Sequence, residues 1–443
     1  MQATHYLKEL LIQNDNDINF FFDEFKNKKF SYKEIHQIGK KVSNNLIKTG
    51  LKNGDKICTV VDNSIETILL YFGCMFSGIV VIPIHEDNCK TNLDFIIKDS
   101  NPKFVFFSKE ELFNSDFFDF QFKILIPDFI NKSLLLEDIF EPYTNINENQ
   151  NLIIIYTSGT TSRPKGVIHT YKSLISSAIL FSEKVNFPKN CCIPTLLPMS
   201  YLGGYFNLFI IPYINRSSII IVNSFNTKIA LDFWNLVEKY NINTLWLVPT
   251  MIAMLLKLDR SKTTDKSKVI QKCFVGTDYL GAKLREDFLG KYNIILLENY
   301  GLSETLFISS QTNENQTLES VGTPLRDVAV KILDPQENEL KDNEEGGIFV
   351  KSKTLSKGYI NKENALSDGW FSTGDIGKII NKNLYITGRK KDIIVRGGVN
   401  ISPAFIEEIV LQDKRITSAA IVGKKHEVIS SRGFDRNDVL CLL

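Results

Sequence analysis

The sequence predicts an α/β fold built on a largely parallel sheet, with a smaller β subdomain toward the end of the chain. Short β-branched runs alternate with amphipathic helical patterns through most of the sequence, as they do in βαβ units. A chain of 443 residues is too long for one compact core, which predicts more than one domain. From about residue 321 the pattern changes to short alternating strands separated by Gly, Asn and Asp, which predicts the β subdomain over residues 321–388.

The first half of the chain contains one series of βαβ units. Residues Tyr32–Gly50 have the apolar periodicity of an amphipathic helix that stops at a glycine, and "DKICTVVD", "GIVVIPI" and "KFVFFS" follow as strands. The apolar segment Ile68–Ile84 is nearly long enough to cross a membrane, but two glycines, a serine and a proline interrupt it. We therefore expect a buried helix that ends near Gly78, then a short strand, and no membrane span.

The alternation resumes in the second half. Strands are predicted in "SSIIIVNS", "NTLWLVPT", "VIQKCFVG" and "NIILLENYG", with one helix, "NTKIALDFWNLVEKY", between the first two. The strands of the β subdomain are "VAVKILD", "GGIFVKS" and "NLYITG", and the polar stretch "DPQENELKDNEEGG" is predicted to be a surface hairpin loop.

The bulk composition is that of an ordinary globular protein. With a net charge of +1 and 23% charged residues, no nucleic-acid or acidic-membrane partner is indicated. The seven cysteines are odd in number, irregularly spaced and without a CxxC pair, so we expect reduced thiols rather than a disulfide framework or a zinc site. The N-terminal residues have no apolar signal core, and we expect a cytoplasmic protein.

The densest chemical signal is "IIIYTSGTTSRPKGVIHT", residues 153–170. It places hydroxyls and a glycine between an apolar strand and a predicted helix, and then adds a lysine. Hydroxyl and backbone N–H groups that converge in this way bind anions, and the lysine contributes a full charge. The order does not fit a P-loop, because Lys165 follows a proline and precedes Gly166. The alternative is a hydrophilic turn that binds nothing.

The spacing through Pro-Lys-Gly resembles the phosphate-binding signature of the adenylate-forming (AMP-binding) superfamily, which includes acyl- and aryl-CoA synthetases. The elements "ENYGLSET", "DGWFSTGDIGKI" and "GRKKDIIVRGGVNISPAFIEE" also resemble that family and occur in its order, so the resemblance spans roughly residues 30–425. It implies an N-terminal domain (1–390) of two packed, mostly parallel α/β sheets plus the β subdomain. A partial α+β C-terminal domain (391–443) would follow a hinge.

The resemblance also implies a nucleotide site. Its residues would be Thr157, Ser158, Gly159, Thr160, Thr161 and Lys165 around the phosphates, Gly276, Thr277 and Asp278 in an adenine loop, Asn299, Tyr300, Gly301 and Ser303 on the next strand, and Asp375 and Arg389 on the ribose side. Tyr300 would stack on adenine. Asp375 would accept both ribose hydroxyls, a task that suits a carboxylate.

Four residues are implied to act in the reaction: Lys165, Ser303, Glu304 and Lys391. Ser303 would contact the α-phosphate region, and Glu304 would hold Mg²⁺, because a carboxylate at the end of a buried strand beside a phosphate loop needs a cation partner. Taken alone, Glu304 would be interpreted as an acid at a helix N-terminus. Lys391 falls on the hinge, and Gly397 and Gly398 would lie along the pantetheine approach.

The implied reaction activates a small carboxylic acid in two steps. The acid attacks the α-phosphorus of ATP, with Mg²⁺ as cofactor, and the thiol of CoA or of a carrier-protein phosphopantetheine then displaces AMP. An acyl-carrier protein is thus one alternative partner. In the family that the sequence resembles, members that activate amino acids carry an Asp near this point to bind the substrate ammonium. The corresponding stretch here, "LPMSYLGGYFNLF", has no acid, which argues against an α-amino acid and leaves fatty and aromatic acids open. Its residues Tyr201, Gly203, Gly204 and Phe206 would line an apolar pocket or belong to the core.

The end of the sequence departs from the family pattern. Only 52 residues follow Lys391 in the chain of 443, and they lack the family's late Pro-x-x-x-x-Gly-Lys element. We therefore expect the chain to fray after about residue 425 and adenylation to be slow. A second interpretation stays open, namely a non-catalytic or impaired homologue that binds nucleotide or acyl-adenylate.

Overall fold

The fold is taken from a computed structural model of the chain. The structure describes residues 20–86, 90–114, 122–137, 147–157, 164–259, 265–360, 362–363, 366–390, 392, 394–396, 399–401, 403, 406–407, 410, 420–425 and 437–442.

The described residues form helices and strands in alternation, as the sequence predicts. The helices are α1 Tyr32–Lys48, α2 Ile65–Ser77, α3 Lys90–Ser100, α4 Glu110–Phe113, α5 Ile126–Leu134, α6 Tyr171–Val185, α7 Ile211–Ile214, α8 Thr227–Leu231, α9 Phe233–Lys239, α10 Pro249–Leu258 and α11 Ala282–Tyr292, with a π-helix at Gly203–Ile210. The strands are β1 Phe20–Asp23, β2 Lys28–Ser31, β3 Lys56–Val61, β4 Val80–His85, β5 Phe104–Phe107, β6 Lys123–Leu125, β7 Asn151–Thr157, β8 Lys165–Thr170, β9 Cys192–Pro194, β10 Ser218–Ile221, β11 Thr244–Leu247, β12 Lys272–Val275, β13 Leu297–Leu302, β14 Leu306–Ser310, β15 Thr323–Pro324, β16 Val328–Leu333, β17 Gly346–Ser352, β18 Gly358–Tyr359, β19 Lys362–Glu363, β20 Leu366–Ser367, β21 Trp370–Ile380, β22 Asn383–Arg389, β23 Ile394–Arg396, β24 Val399–Ile401, β25 Ala420–Lys425 and β26 Asn437–Leu442.

The largest sheet has eight strands in the order β19-β18-β8-β7-β4-β3-β5-β6. Strands β7, β4, β3, β5 and β6 are parallel to one another, whereas β8 returns antiparallel beside β7. A second sheet, β11-β12-β13-β14-β15, begins with three parallel strands and ends with antiparallel ones. These two sheets confirm the predicted α/β fold, although both are mixed, with antiparallel strands beside the parallel ones. A third sheet, β2-β1-β10-β9, was not predicted.

Helix α2 ends where the sequence predicts. Its N-terminus is capped by Ser64, whose side chain accepts a hydrogen bond from the backbone N–H of Thr67. At its C-terminus Gly78 adopts a left-handed conformation with φ of 69°, and β4 follows directly. Among the described residues, no helix has both the length and the apolar character needed to cross a membrane.

The predicted strands after residue 321 form one antiparallel sheet. Its order is β16-β17-β21-β20, with β22 paired to β21, and every pairing in it is antiparallel. The polar stretch between β16 and β17 is mostly exposed, which confirms the predicted surface loop. This sheet is called the ribose-side sheet below, because it carries Asp375 and Arg389, the two residues that the family resemblance assigns to the ribose side.

A single large cluster of buried side chains joins these layers. It includes residues from Phe21 to Leu384 and takes in the helices α1, α2 and α6, one face of the eight-stranded sheet, and the inner face of the ribose-side sheet. A smaller cluster covers the opposite face of the eight-stranded sheet, where Leu93 and Ile96 of α3 pack. Five cysteines are buried and free: Cys58, Cys74, Cys191, Cys192 and Cys273.

Two local predictions were wrong. The segment predicted as one helix over residues 226–240 forms α8 and α9, because Asp232 leaves the helical region with φ of −112° and ψ of 14°. Its carboxylate accepts a hydrogen bond from the Asn235 amide at 2.5 Å, the kind of local bond that makes Asp favour helix ends. The glycine- and hydroxyl-rich loop leads into β8 rather than into a helix, because the capping signal for α6 is Thr170, at the far end of that strand.

The C-terminal residues that the structure describes contain a further pair of strands. Strands β25 and β26 are antiparallel, with Ala420 opposite Leu442 and Lys425 opposite Asn437. The structure thus pairs Asn437–Leu442 with β25, and fraying after about residue 425 stays a prediction for hydrogen exchange to test. Residues 426–436 lie outside the described residues.

Candidate active site

The first part of the site is a cluster of two buried side chains, Tyr300 and Asp375, with the exposed Arg389. Tyr300 lies within strand β13, and the ribose-side sheet places Asp375 directly opposite Arg389 on neighbouring strands. The Tyr300 hydroxyl donates to Oδ2 of Asp375 at 2.6 Å, and Nε of Arg389 lies 3.1 Å from Oδ1. Asp375 is only 4% exposed. Three residues that the sequence assigns to the nucleotide site are thus in direct contact, although 89 residues of chain separate the first from the last.

The electrostatics of this cluster favour a neutral Tyr300 phenol. Burial, and then the charge of Asp375, raise the pKa of Tyr300 well above its usual value. Asp375 in turn receives a guanidinium N–H and a phenol O–H, and its backbone N–H donates to the Thr373 hydroxyl at 3.1 Å. Each carboxylate oxygen can accept more than one hydrogen bond, so both protein contacts are compatible with the ribose role predicted for Asp375.

The second part of the site is the tight turn Leu302–Thr305, which carries Ser303 and Glu304. Three groups hold its backbone. The Thr305 hydroxyl accepts from the N–H of Leu302 at 3.0 Å, and the N–H of Ser356 donates to the carbonyl of Glu304 at 2.7 Å. The third is His169 on β8, whose Nε2 lies 2.6 Å from the carbonyl oxygen of Ser303. Two successive carbonyls of the turn are therefore fixed by neighbouring elements.

His169 is a neutral imidazole with a defined tautomer. A carbonyl oxygen only accepts, so the hydrogen bond to Ser303 places the proton on Nε2, and Nδ1 accepts from the Ser173 hydroxyl at 3.2 Å. The ring is fully buried, and this burial lowers its pKa to about 4. The histidine thus works as a fixed donor that ties the turn to the strand beginning at Lys165.

Tyr359 connects the two charged residues of this part of the site. Its hydroxyl donates to Oε1 of Glu304 at 2.8 Å, and the Nζ of Lys165 lies 5.5 Å from the centroid of its ring. Tyr359 occupies β18, opposite Val167 of β8. The structure therefore brings Lys165 and Glu304 to different parts of one phenol ring.

The donor set at Glu304 fits a magnesium ion. Among the described residues, no group of three or more His, Cys, Asp or Glu side chains can hold a metal. A single carboxylate suits Mg²⁺, which proteins commonly bind through one or two carboxylates while phosphate oxygens and water fill the remaining positions. Glu304 is half-buried, and the hydrogen bond from Tyr359 occupies Oε1 but not Oε2.

The predicted adenine loop lies beside Tyr300. Strands β12 and β13 are parallel neighbours, so Gly276 follows β12 at the same sheet edge where β13 reaches Asn299 and Tyr300. Asn299 is buried and its amide donates to the carbonyl of Val275 at 2.8 Å. Thr277 and Asp278 are exposed, and Thr277 adopts a φ of 75°.

Strand β13 requires a glycine directly after Tyr300. Strand β13 has a bulge between Tyr300 and Gly301, and a Cβ at Gly301 would lie 2.1 Å from the carbonyl oxygen of Leu306. No side chain fits there, so the glycine permits the sharp return from β13 through the turn into β14.

The remaining site residues fall at the phosphate loop and the hinge. Thr157 and Lys165 are cross-strand partners, so they flank the loop between β7 and β8. Four loop residues and the hinge residue lie outside the described residues: Ser158, Gly159, Thr160, Thr161 and Lys391.

The stretch considered for the acid pocket is split between surface and core. Phe206 is buried and packs on Phe307 with ring centroids 5.7 Å apart. Tyr201 is 46% exposed and stacks on His85, with centroids 5.1 Å apart and planes inclined by 17°. His85 is the last residue of β4, which is the parallel neighbour of β7. The aromatic pair therefore lies at the same sheet edge as the start of the loop that follows β7.

Comparison with known proteins identifies the family. A family model described as "AMP-binding enzyme" matches residues 12–360. The chain belongs to the AMP-binding enzyme family. Among relatives in that family, the long-chain-fatty-acid–CoA ligase FadD13 of Mycobacterium tuberculosis is 27% identical over 419 residues, which cover 90% of this chain and 81% of that protein. The 2-succinylbenzoate–CoA ligase of Bacillus pumilus is 25% identical, with the same coverage.

Solved structures of family members have the same fold. The ATP-bound MatB of Rhodopseudomonas palustris superposes with a TM-score of 0.88 at 25% identity, covering 100% of this chain and 88% of that one. The o-succinylbenzoate CoA synthetase MenE of Bacillus subtilis, in complex with the acyl-adenylate OSB-AMP, has a TM-score of 0.86 at 22% identity, covering 98% and 87%. The second likeness is one of fold alone.

Sequence reasoning missed three residues of this AMP-binding chain. His169 stands in an apolar strand, where its alternation with Val167 signals burial but not its contact with Ser303. Tyr359 lies in the two-residue strand β18, which is too short to give any periodic signal. His85 ends a strand that was predicted, but nothing in the sequence pairs it with Tyr201.

Proposed function

We propose that this chain is an AMP-forming acid–thiol ligase that activates a carboxylic acid with ATP and transfers the acyl group to a thiol. The observation that carries the proposal is the single segment from Tyr300 to Glu304. At one end it meets a buried carboxylate and a guanidinium. At the other end it carries the Glu304 carboxylate, which accepts a hydrogen bond from the Tyr359 hydroxyl. Lys165 lies over the ring of the same tyrosine. Candidate nucleoside-binding and phosphate-binding groups are thus held on one rigid strand and turn.

The residues divide the work as follows. Asp375 accepts the ribose hydroxyls, Tyr300 stacks on the base, and Lys165 faces the phosphates as a full positive charge. The substrate carboxylate attacks the α-phosphorus in line, the α–β phosphoanhydride bond breaks, and pyrophosphate leaves. A thiol then attacks the acyl carbon and displaces AMP. Lys165 stabilises the negative charge that accumulates on the phosphate oxygens in the first step.

Glu304 would be the carboxylate that holds Mg²⁺. The chemistry that a bound ion would supply is neutralisation of phosphate charge. The protein's own contribution is to hold Glu304 still, through the backbone bonds to Ser303 and Glu304 and through the Tyr359 hydroxyl.

The substrate class that we propose is a fatty or aromatic acid. The stretch from Leu197 to Phe209 has no acidic side chain to bind a substrate ammonium. The exposed Tyr201, stacked on the half-buried His85, offers an aromatic surface beside the phosphate loop. The relatives include ligases named for long-chain fatty acids and for 2-succinylbenzoate, which are acids of these two kinds.

For the acceptor, we propose coenzyme A, with a carrier-protein phosphopantetheine as the alternative. The relatives named above are CoA ligases, which favours the free thiol over a carrier-bound one. Lys391 would serve as the hinge between the two half-reactions. In the sequence it comes two residues after Arg389, where β22 and the ribose-side sheet end.

Acid-dependent exchange of pyrophosphate into ATP tests the first half-reaction. The purified chain is assayed with fatty, aromatic and amino acids, and Lys165→Ala is compared with Lys228→Ala, an exposed lysine on α8. We expect exchange with one acid class, loss of most of it in Lys165→Ala, and full activity in Lys228→Ala. Adding CoA should then give AMP and an acyl thioester.

ATP binding without exchange for any acid would overturn the ligase proposal. It would favour the other interpretation, a protein that binds nucleotide or acyl-adenylate without turnover. Equal exchange in the two lysine variants would instead remove Lys165 from the phosphate site while leaving the activity in place.

A further inference from the structure

We infer that Tyr359 is the positioning residue of this site: its hydroxyl fixes the metal-binding orientation of Glu304, and its ring keeps Lys165 apart from that carboxylate. The inference rests on the proposed function, because it concerns how the proposed Mg²⁺–ATP site is prepared before its ligand arrives.

The turn alone does not fix the Glu304 carboxylate. The hydrogen bonds from His169 and from the N–H of Ser356 hold the two backbone carbonyls, but three side-chain torsions separate the backbone of Glu304 from its carboxylate. The bond from the Tyr359 hydroxyl to Oε1, at 2.8 Å, selects one orientation. The other oxygen, Oε2, is not used by this bond and is left for a cation.

Tyr359 is itself held firmly enough to act in this way. Its strand pairs with β8, with Tyr359 opposite Val167 and Gly358 opposite Ile168. The backbone N–H of Lys357 donates to the carbonyl of Ile168 at 2.9 Å, and that of Ile360 donates to the carbonyl of Gly166 at 2.8 Å. The phenol therefore stands beside the strand that begins with Lys165, and its position is fixed relative to both charged residues.

The ring also separates two charges that would otherwise attract each other. Lys165 lies over the face of Tyr359 at 5.5 Å from the centroid, while the hydroxyl at the ring's edge binds Glu304. In the described part of the chain, neither Lys165 nor Glu304 takes part in an ion pair. A direct pair between them would neutralise both groups that the phosphates and the metal require. Tyr359 keeps both available.

Titration calorimetry of ATP binding, with MgCl₂ and separately with EDTA, tests the inference. For Tyr359→Phe we expect affinity for ATP in the presence of Mg²⁺ to fall about tenfold, because one hydrogen bond to a charged group is lost. Affinity in EDTA should not change, since Glu304 has no metal to hold there. Tyr359→Leu, which also removes the aromatic ring, should lower affinity in both conditions.

Two controls separate positioning from general damage. Tyr292→Phe removes another tyrosine hydroxyl that bonds a carboxylate at 2.8 Å, that of Asp259 at the end of α10, and should change neither affinity. In a Glu304→Gln background, adding Tyr359→Phe should cause no further loss, because the carboxylate that it positions is gone.

The outcomes distinguish the inference from the proposed function. If the wild-type chain does not bind ATP with Mg²⁺, the proposed function fails. If it binds and Tyr359→Phe binds equally well, the positioning role fails alone. An equal loss with Mg²⁺ and with EDTA would also overturn the role, because it would mean that the hydroxyl only supports the fold.

Discussion

The phenol hydroxyl of Tyr300 donates a 2.6 Å hydrogen bond to Oδ2 of Asp375, a residue 75 positions later in the chain. The bond joins the end of a strand in the second sheet to the centre of the ribose-side sheet. It fixes the plane of the tyrosine ring and the orientation of the carboxylate at once. A base that stacks on the ring and a ribose that binds the carboxylate would therefore meet surfaces already set at a fixed distance from each other.

Removal of this carboxylate should weaken nucleotide binding. For Asp375→Ala we expect ATP affinity to fall by about 1–3 kcal/mol, since buried hydrogen bonds to a charged group are lost. Asp287→Ala, at an exposed position on α11, should leave ATP affinity unchanged. Both are measured by calorimetric titration. Unchanged affinity in Asp375→Ala would contradict the ribose assignment.

The buried ion pair between Arg285 and Glu298 should be important for stability. Both residues are less than a tenth exposed, and Arg285 also donates to the carbonyl of Leu296 at 3.0 Å. Arg285→Met leaves a buried carboxylate without a partner, so we expect the free energy of unfolding to fall by about 3–5 kcal/mol. Urea denaturation followed by circular dichroism measures the change.

The same helix supplies the control for that experiment. Lys283 and Asp287 form an exposed pair one turn apart on α11. Lys283→Ala should therefore cost less than about 0.5 kcal/mol. Similar losses in the two variants would mean that burial does not set the strength of these ion pairs.

Because His36 is buried as a neutral imidazole, the free energy of unfolding should fall in mild acid. Burial, and then the charges of Arg216 and Lys40, lower its folded-state pKa from 6.5 to about 4. The unfolded chain therefore takes up a proton at higher pH than the folded one, so the contribution of neutral His36 is complete above the unfolded pKa and is lost as pH falls toward 4. Between roughly pH 7 and pH 5 we expect a loss of about 2 kcal/mol from this group.

His36→Gln isolates that contribution from the other buried histidine. His169 titrates over the same range, with a pKa lowered to about 4, and it remains in both proteins. The difference in unfolding free energy between the wild type and His36→Gln is measured across this pH range. A difference that stays constant with pH would show that His36 does not lose its charge on folding.

Gly204 should tolerate no side chain. It follows Gly203 at the start of the π-helix, and a Cβ there would lie 2.1 Å from the carbonyl oxygen of Pro198. Gly204→Ala should therefore lower the free energy of unfolding by at least about 2 kcal/mol. Gly290, within α11, has no atom within 4 Å of the position that a Cβ would take, so Gly290→Ala should raise stability by up to about 1 kcal/mol. Equal melting temperatures for the two variants would contradict this interpretation.

The sequence predicted most of what depends on local pattern. The parallel strands, the helix that stops at Gly78 and the surface loop before β17 follow from periodicity and turn residues. The contacts of Tyr300, Asp375 and Arg389 could be anticipated only through the family resemblance, because they join segments that are far apart in the chain. The roles of His169 and Tyr359 could not be predicted, since each depends on which strand lies beside β8, and the two-residue β18 carries no pattern of its own. The break at Asp232 was missed because helical periodicity continues across it.

The buried cluster that extends from Phe21 to Leu384 has a consequence for assembly of the protein. The ribose-side sheet contributes the side chains of Val328, Ile348, Val350 and Leu384 to a core that it shares with the parallel sheets. A chain in which that sheet has come away would lose its inner face and would also separate Asp375 from Tyr300. Nucleotide would then bind only the fully assembled form, and so ATP should raise the cooperativity and the midpoint of thermal unfolding together. Bound ATP would thus stabilise the packing of the ribose-side sheet against the parallel sheets.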